Sequence, residues 1–234
     1  MGRVFLCLNC GYGLGMTIPY TLVIFDFDGT LADSFGWFLD IFDEVADKFG
    51  YDRGDRNNLR ALRDMGAREL LAHHRVPMWK LPMIMTHVRK LQGQHIDRIT
   101  LFDGIGEVIT TLKHQGIKVA VVTSNARENV ETVLGADIAR LIDHYACGAS
   151  LFGKAAKFKA LLKAAGTEAS CVLSVGDEIR DIEAARVAGF KVGAVSWGFA
   201  NADRLRRENP DHLFECPQDI LTALRPPSGF HPNI

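Results

Sequence analysis

Two carboxylates, Asp26 and Asp28, end the apolar run Leu22 to Phe27 at the point where the chain turns through Gly29 and Thr30. A second acidic pair, Asp177 and Asp181, follows the run Cys171 to Val175 and Gly176, at a spacing that puts both side chains on one face of a helical turn. Asp-x-Asp alone also suits a turn or a helix cap, and an acid such as Asp181 is favourable in a first helical turn without further duty. The position of both pairs directly behind buried-strand patterns favours chemistry. Four carboxylates drawn into one crevice would repel each other and raise their own pKa values unless a cation sat among them. Oxygen-only donors suit octahedral Mg²⁺ better than zinc.

Two further sets lie between these pairs. Thr123, Ser124 and Asn125 end the run Ile117 to Val122 ahead of a helical pattern, so they offer hydroxyls and backbone N–H groups to an anion, or serve as plain N-caps. Lys154 follows Gly153 and opens a helical stretch through Ala165, where the positive end of the helix dipole disfavours a cation unless an anion is near. Lys157, Lys159 and Lys163 in the same stretch read as solvated surface.

The elements that must position these residues are short Val/Ile/Leu runs, a fourth being Val192 to Val195, separated from about residue 100 onward by helical patterns. The expected fold is α/β, a doubly wound parallel sheet covered on both faces, with ligands at the carboxyl ends of the strands. The stretch 34–99 is far longer than the dozen or so residues a crossover needs. Trp37, Phe38, Ile41, Phe42, Val45 and Phe49 keep helical spacing within it, and Pro77 opens another helical candidate through Met85, Val88 and Leu91. The expected organisation is a poorly ordered extension (1–16), an α/β core (17–33 and 100–225), a helical cap (34–99) and a tail (226–234). The chain rejoins the core at Phe102-Asp103-Gly104, before an amphipathic segment that Gly116 ends.

Composition narrows the function classes. With 27 basic against 28 acidic residues and a net charge of -1, nothing favours nucleic acid or a membrane surface, and a small-molecule partner fits best. No run approaches the ~20 apolar residues of a membrane span. Five scattered cysteines do not form the framework of a small secreted domain, so a reducing cytoplasm is the expected setting. Cys7 and Cys10 read as an incidental C-x-x-C, and Met16 is an alternative start. A monomer and a homodimer are both compatible with the sequence.

In this order, Asp26-x-Asp28-x-Thr30, Thr123, Lys154 and Gly176-Asp177-x-x-x-Asp181 resemble the four signatures of the haloacid dehalogenase superfamily of phosphatases. The likeness runs from about Thr21 to Leu224. Asp28 to Ser34, Phe102-Asp103-Gly104 and Ser196-Trp197-Gly198-Phe199 are similar to the phosphoglycolate-phosphatase-like subgroup, with one departure: Lys154 is followed by Ala155 where proline is usual. The resemblance implies a phosphomonoester of a small metabolite as substrate. It implies Asp26 as nucleophile, Asp28 as acid and base, and Thr123, Ser124, Asn125 and Lys154 around the phosphoryl group. Mg²⁺ would be held by Asp26, the Asp28 backbone carbonyl and Asp177, with Thr30 and Asp181 behind it. Arg68 and Arg75 in the cap are candidates for an acidic leaving group, although each also fits a solvated surface. A dehalogenase would have no alkoxide for Asp28 to protonate; a phosphomutase and a non-catalytic binding module remain the alternatives.

Overall fold

The structure, a computed structural model, describes residues 20–54, 59–148 and 153–224. The N-terminal extension with Cys7, Cys10 and Met16, and the tail 226–234, lie outside the described residues.

The first strand, β1 (Leu22–Phe25), is buried along its whole length because it runs through the middle of a six-stranded parallel sheet. In chain order the other core strands are β4 (Lys118–Val122), β5 (His144–Ala146), β6 (Val172–Gly176), β7 (Lys191–Val195) and β8 (His212–Phe214), arranged β5-β4-β1-β6-β7-β8. Every pairing in this sheet is parallel, and β1 pairs with both β4 and β6. Two short antiparallel strands, β2 (Ala32–Asp33) and β3 (Thr100–Leu101), pair where the chain leaves the core and where it returns.

Alternation of side chains along the strands divides the core into two layers. Val23 and Phe25 pack on one face with Val108, Ile109 and Leu112 of a helix spanning Ile105–His114. Leu22 and Ile24 pack on the other with Phe158 and Leu161 of the helix Lys154–Ala165 and Ile182 of the helix Ile179–Ala188. This is the doubly wound arrangement expected of continuous apolar strands.

Among the described residues, four α-helices lie between β2 and β3: α1 (Phe35–Phe49), α2 (Leu59–Arg63), α3 (Ala67–His73) and α4 (Leu81–Gln94). Trp37, Ile41 and Val45 form the buried stripe of α1, as their spacing requires. The helix expected from Pro77 starts four residues later: Pro77 precedes a 3-10 turn (Met78–Lys80), and α4 begins at Leu81 with Pro82 in a first turn that needs no N–H from it. The remaining helices, α5 (Ile105–His114), α6 (Arg127–Ala139), α7 (Lys154–Ala165), α8 (Ile179–Ala188), α9 (Ala202–Arg207) and α10 (Pro217–Ala223), belong to the core.

Among the described residues no helix is long and apolar enough to cross a membrane. Among the described residues Cys147 and Cys216 are free thiols.

Candidate active site

The adjacent strands β4, β1 and β6 deliver Thr123, Asp26 and Asp177 to the same edge of the sheet. Carboxylate oxygens of Asp26, Asp177 and Asp181 lie within 4.8 Å of one another, and all three residues are buried. Asp26 Oδ1 accepts from the Phe27 N–H at 2.7 Å. Asp177 is clamped from two sides: Thr30 Oγ1 donates to its Oδ1 at 2.9 Å and the Phe199 N–H to its Oδ2 at 2.7 Å. Trp197 Nε1 donates to the Thr30 carbonyl at 3.1 Å, so the loop after β7 holds both partners in this clamp. Gly29 makes the approach possible: its φ is +78°, and a Cβ there would stand 2.2 Å from Asp177 Oδ2.

Lys154, at the first position of α7, reaches Asp26 Oδ2 at 2.7 Å and Asp181 Oδ1 at 2.6 Å. Asp181 also fills the role of a helix-start acid, since its Oδ2 accepts from the Glu178 N–H at 3.1 Å. The helix-start bond and the place in the acidic cluster therefore fall to one residue. Burial pushes the Asp26 carboxyl up to about 6 against the pull of Lys154. Burial, helped by the charges of Glu178 and Asp181, raises Asp177 well above the carboxylate range. Burial works against ionisation of Asp181 too, yet Lys154 and Arg180 hold it below its ordinary value. A buried oxygen-only set that resists ionisation without more positive charge is the donor chemistry of a hard divalent cation.

Asp28 does not join this cluster, contrary to the expectation that all four carboxylates meet. Its side chain faces the cap helices, where Gln92 Nε2 donates to Oδ1 at 2.7 Å and Asn125 Nδ2 to Oδ2 at 3.0 Å. Asn125 Nδ2 also donates to Gln92 Oε1 at 2.8 Å, while its own Oδ1 accepts from Asn129 Nδ2 at 3.0 Å and the Ala126 N–H at 2.8 Å. Burial raises the Asp28 pKa, and the amide of Gln92 opposes the rise. Two carboxylates in one turn thus have unlike surroundings. Asp26 sits against a lysine inside the acidic cluster; Asp28 is held by neutral amides beside the cap.

The family model of haloacid dehalogenase-like hydrolases matches residues 23–195, which include Asp26, Asp28, Thr30, Thr123, Asn125, Lys154, Asp177 and Asp181. The chain belongs to this family. The hydrolase is 32% identical over 203 residues to a phosphoglycolate phosphatase of Synechococcus elongatus, covering 86% of this chain and 96% of that protein. It is 27% identical to the N-acetylmuramic acid 6-phosphate phosphatase of Pseudomonas aeruginosa, covering 86% and 93%. The crystal structure of a predicted phosphoglycolate phosphatase from Haemophilus somnus superposes with a TM-score of 0.69 at 26% identity, covering 89% of this chain and 99% of that one. These likenesses put the hydrolase in the phosphoglycolate-phosphatase-like subgroup.

The remaining expected residues of the hydrolase are spread unevenly. Thr123 is buried and its Oγ1 accepts from the Asn125 N–H at 3.0 Å, while Ser124 lines a cavity between cap and core. Arg68 and Arg75 are exposed and do not line that cavity; Arg75 pairs outward with Asp52, its Nη2 donating to Oδ1 at 2.8 Å. The arginines that do line it, Arg63 and Arg180, escaped the sequence reading, as did Gln92. Gln92 carried a signal: it falls on the buried stripe of α4 with Ile84 and Leu91, where a polar residue needs a partner. Arg180, between Asp177 and Asp181, is paired with Glu178, and Arg63 donates to the carbonyls of Gly198 at 2.6 Å and Phe199 at 3.0 Å.

Proposed function

We propose that this hydrolase is a Mg²⁺-dependent phosphatase that cleaves a small phosphomonoester through an aspartyl-phosphate on Asp26. The observation that carries the reading is the unlike environment of the two carboxylates: Asp26 faces Lys154 in the acidic cluster, and Asp28 faces the cap with a raised pKa. Both carboxyl groups are raised by burial, but their partners differ, and unlike surroundings suit the unlike roles of nucleophile and acid.

In the first step an Asp26 oxygen attacks phosphorus in line and the bond from phosphorus to the ester oxygen breaks. Asp28, whose neutral form burial favours, gives a proton to the leaving oxygen. In the second step the Asp28 carboxylate takes a proton from water as the water oxygen attacks phosphorus. The bond from phosphorus to Asp26 breaks, phosphate leaves, and both aspartates are restored. Gln92 and Asn125 keep the Asp28 carboxylate oriented in both steps. Lys154 sets a positive charge beside Asp26 and the incoming phosphoryl group, and its contact with Asp181 keeps it fully charged despite burial.

Asp26 and Asp177, with Asp181 behind them, would hold Mg²⁺, which supplies charge neutralisation between carboxylate and phosphoryl group and polarises the phosphorus centre. Thr123 and Ser124 lie at the carboxyl end of β4, where hydroxyls and N–H groups suit the remaining phosphoryl oxygens.

The test is phosphate release from a panel of phosphomonoesters, 2-phosphoglycolate included, with Mg²⁺ and with EDTA, using Asp26→Asn as the blank. Metal-dependent release by the wild type alone is the expected result. Release that persists in Asp26→Asn would refute the reading.

A further inference from the structure

Resting on the phosphatase reading, we propose that the leaving group is an alcohol with an apolar body that fills the cavity under the cap, not a small carboxylic acid. The cavity has a volume of about 230 Å³ and opens against Asp28, Ser124 and Asn125 on the core side, where the ester oxygen must lie for Asp28 to protonate it. Its far walls are Phe38 and Phe42 from α1, Leu70 from α3, and Ile84, Met85 and Val88 from α4. A dry cavity of about 150 Å³ lined by such side chains accepts benzene, so this one has room for a ring or a chain of several carbons.

Charge in the lining argues against an anionic leaving group. Among the described lining residues Arg63 and Arg180 are balanced by Asp43 and Glu178, with Asp28 beside them, so there is no net positive charge. Both arginines are committed: Arg180 pairs with Glu178, and Arg63 holds the carbonyls of Gly198 and Phe199 while its guanidinium lies 5.3 Å from the Phe35 ring centre. A carboxylate pushed into the cavity would lose its hydration without gaining an uncommitted cation from the described lining residues, a penalty of several kcal/mol. His74 is the remaining basic residue among the described lining residues, 2% exposed, and its Nε2 has no hydrogen-bond partner. Burial holds its pKa down, and Nε2 offers one hydrogen-bonding position to a hydroxyl on the apolar body.

The experiment is calorimetric binding of alkylphosphonates from ethyl to hexyl to the whole protein with Mg²⁺. Phosphonoacetate is the carboxylate-bearing counterpart, and initial rates on the matching alkyl phosphates and 2-phosphoglycolate are measured alongside. Phosphonates are not hydrolysed, so this readout is independent of turnover. Affinity is expected to rise about fourfold per methylene, with phosphonoacetate no tighter than ethylphosphonate. Val88→Trp, which fills the cavity, should abolish the rise and keep ethylphosphonate affinity. A flat series in the wild type, or tightest binding of phosphonoacetate, overturns the inference whether or not the variant folds. Fastest turnover of 2-phosphoglycolate overturns it too and leaves the phosphatase reading intact. A rising binding series without metal-dependent phosphate release from any ester supports the pocket and overturns the phosphatase reading instead.

Discussion

Gly29→Ala tests whether the acidic cluster depends on the backbone of the turn that carries it. The residue has φ +78°, and an added Cβ would stand 2.2 Å from Asp177 Oδ2 and 2.7 Å from Phe199 Cδ1. Left-handed backbone costs alanine about 1–2 kcal/mol. Asp177 cannot swing aside cheaply, because Thr30 Oγ1 and the Phe199 N–H grip its two oxygens at 2.9 and 2.7 Å. Forcing extra volume into such a site costs roughly 1–3 kcal/mol more, so the total is on the order of 2–5 kcal/mol. Gly166→Ala is the matched control, with φ +63° and nothing within 4 Å of the added Cβ, so it should show the backbone cost alone. Urea unfolding in EDTA measures both variants, and calorimetric Mg²⁺ titration should find affinity lowered at least tenfold in Gly29→Ala only. Equal destabilisation of the two variants with unchanged Mg²⁺ affinity would refute the reasoning.

Three other perturbations have calculable outcomes. Lys154→Met leaves Asp26 and Asp181 without their shared cation and should cost about 3–5 kcal/mol in EDTA, read by urea unfolding; a loss under 1 kcal/mol contradicts the ion pairs described. Gln92→Leu removes a hydrogen bond to the charged form of Asp28 that is worth about 1.5–3 kcal/mol. It should lower kcat at least about tenfold, leave KM nearly unchanged and move the Asp28 limb of the pH–rate profile upward, whereas a superimposable profile would deny Gln92 its positioning role. The third concerns pH. The folded pKa of Asp26, about 6, lies above its ordinary value of 3.8, so ionisation costs more in the folded state than in the unfolded one. This contribution is fully present below pH about 4 and is lost as pH rises through 6. In EDTA the wild type should therefore lose stability relative to Asp26→Asn between pH 5 and pH 7.5, and Mg²⁺ should restore it at pH 7.5; a gain in EDTA would reverse the sign of the argument.

Much of the site could be read in the sequence because its residues sit directly behind apolar strands. Asp26, Thr123 and Asp177 follow β1, β4 and β6, and a parallel sheet brings strand ends together whatever lies between them. The short edge strands His144–Ala146 and His212–Phe214 gave no such signal, since three residues of mixed polarity at a sheet edge have no period to detect. Asp28 shows where spacing stops being informative. Its sequence neighbours place it beside Asp26, but its side-chain direction is decided by Gln92 and Asn125, 64 and 97 residues away. The sequence left Arg68 and Arg75 open between a contact with the leaving group and a solvated surface for a related reason. Side-chain type alone cannot tell a cavity wall from the outside of a small helical layer, and Asp52, which draws Arg75 outward, is a distant partner in sequence.

Covalent catalysis at Asp26 is tested most directly by borohydride trapping during turnover of the fastest ester found, followed by peptide mass spectrometry. Reduction of an aspartyl-phosphate converts the aspartate to homoserine. Homoserine at residue 26, dependent on both ester and Mg²⁺, is the predicted result. An unmodified residue 26 under steady turnover, or homoserine at Asp28 or Asp177 instead, would contradict it.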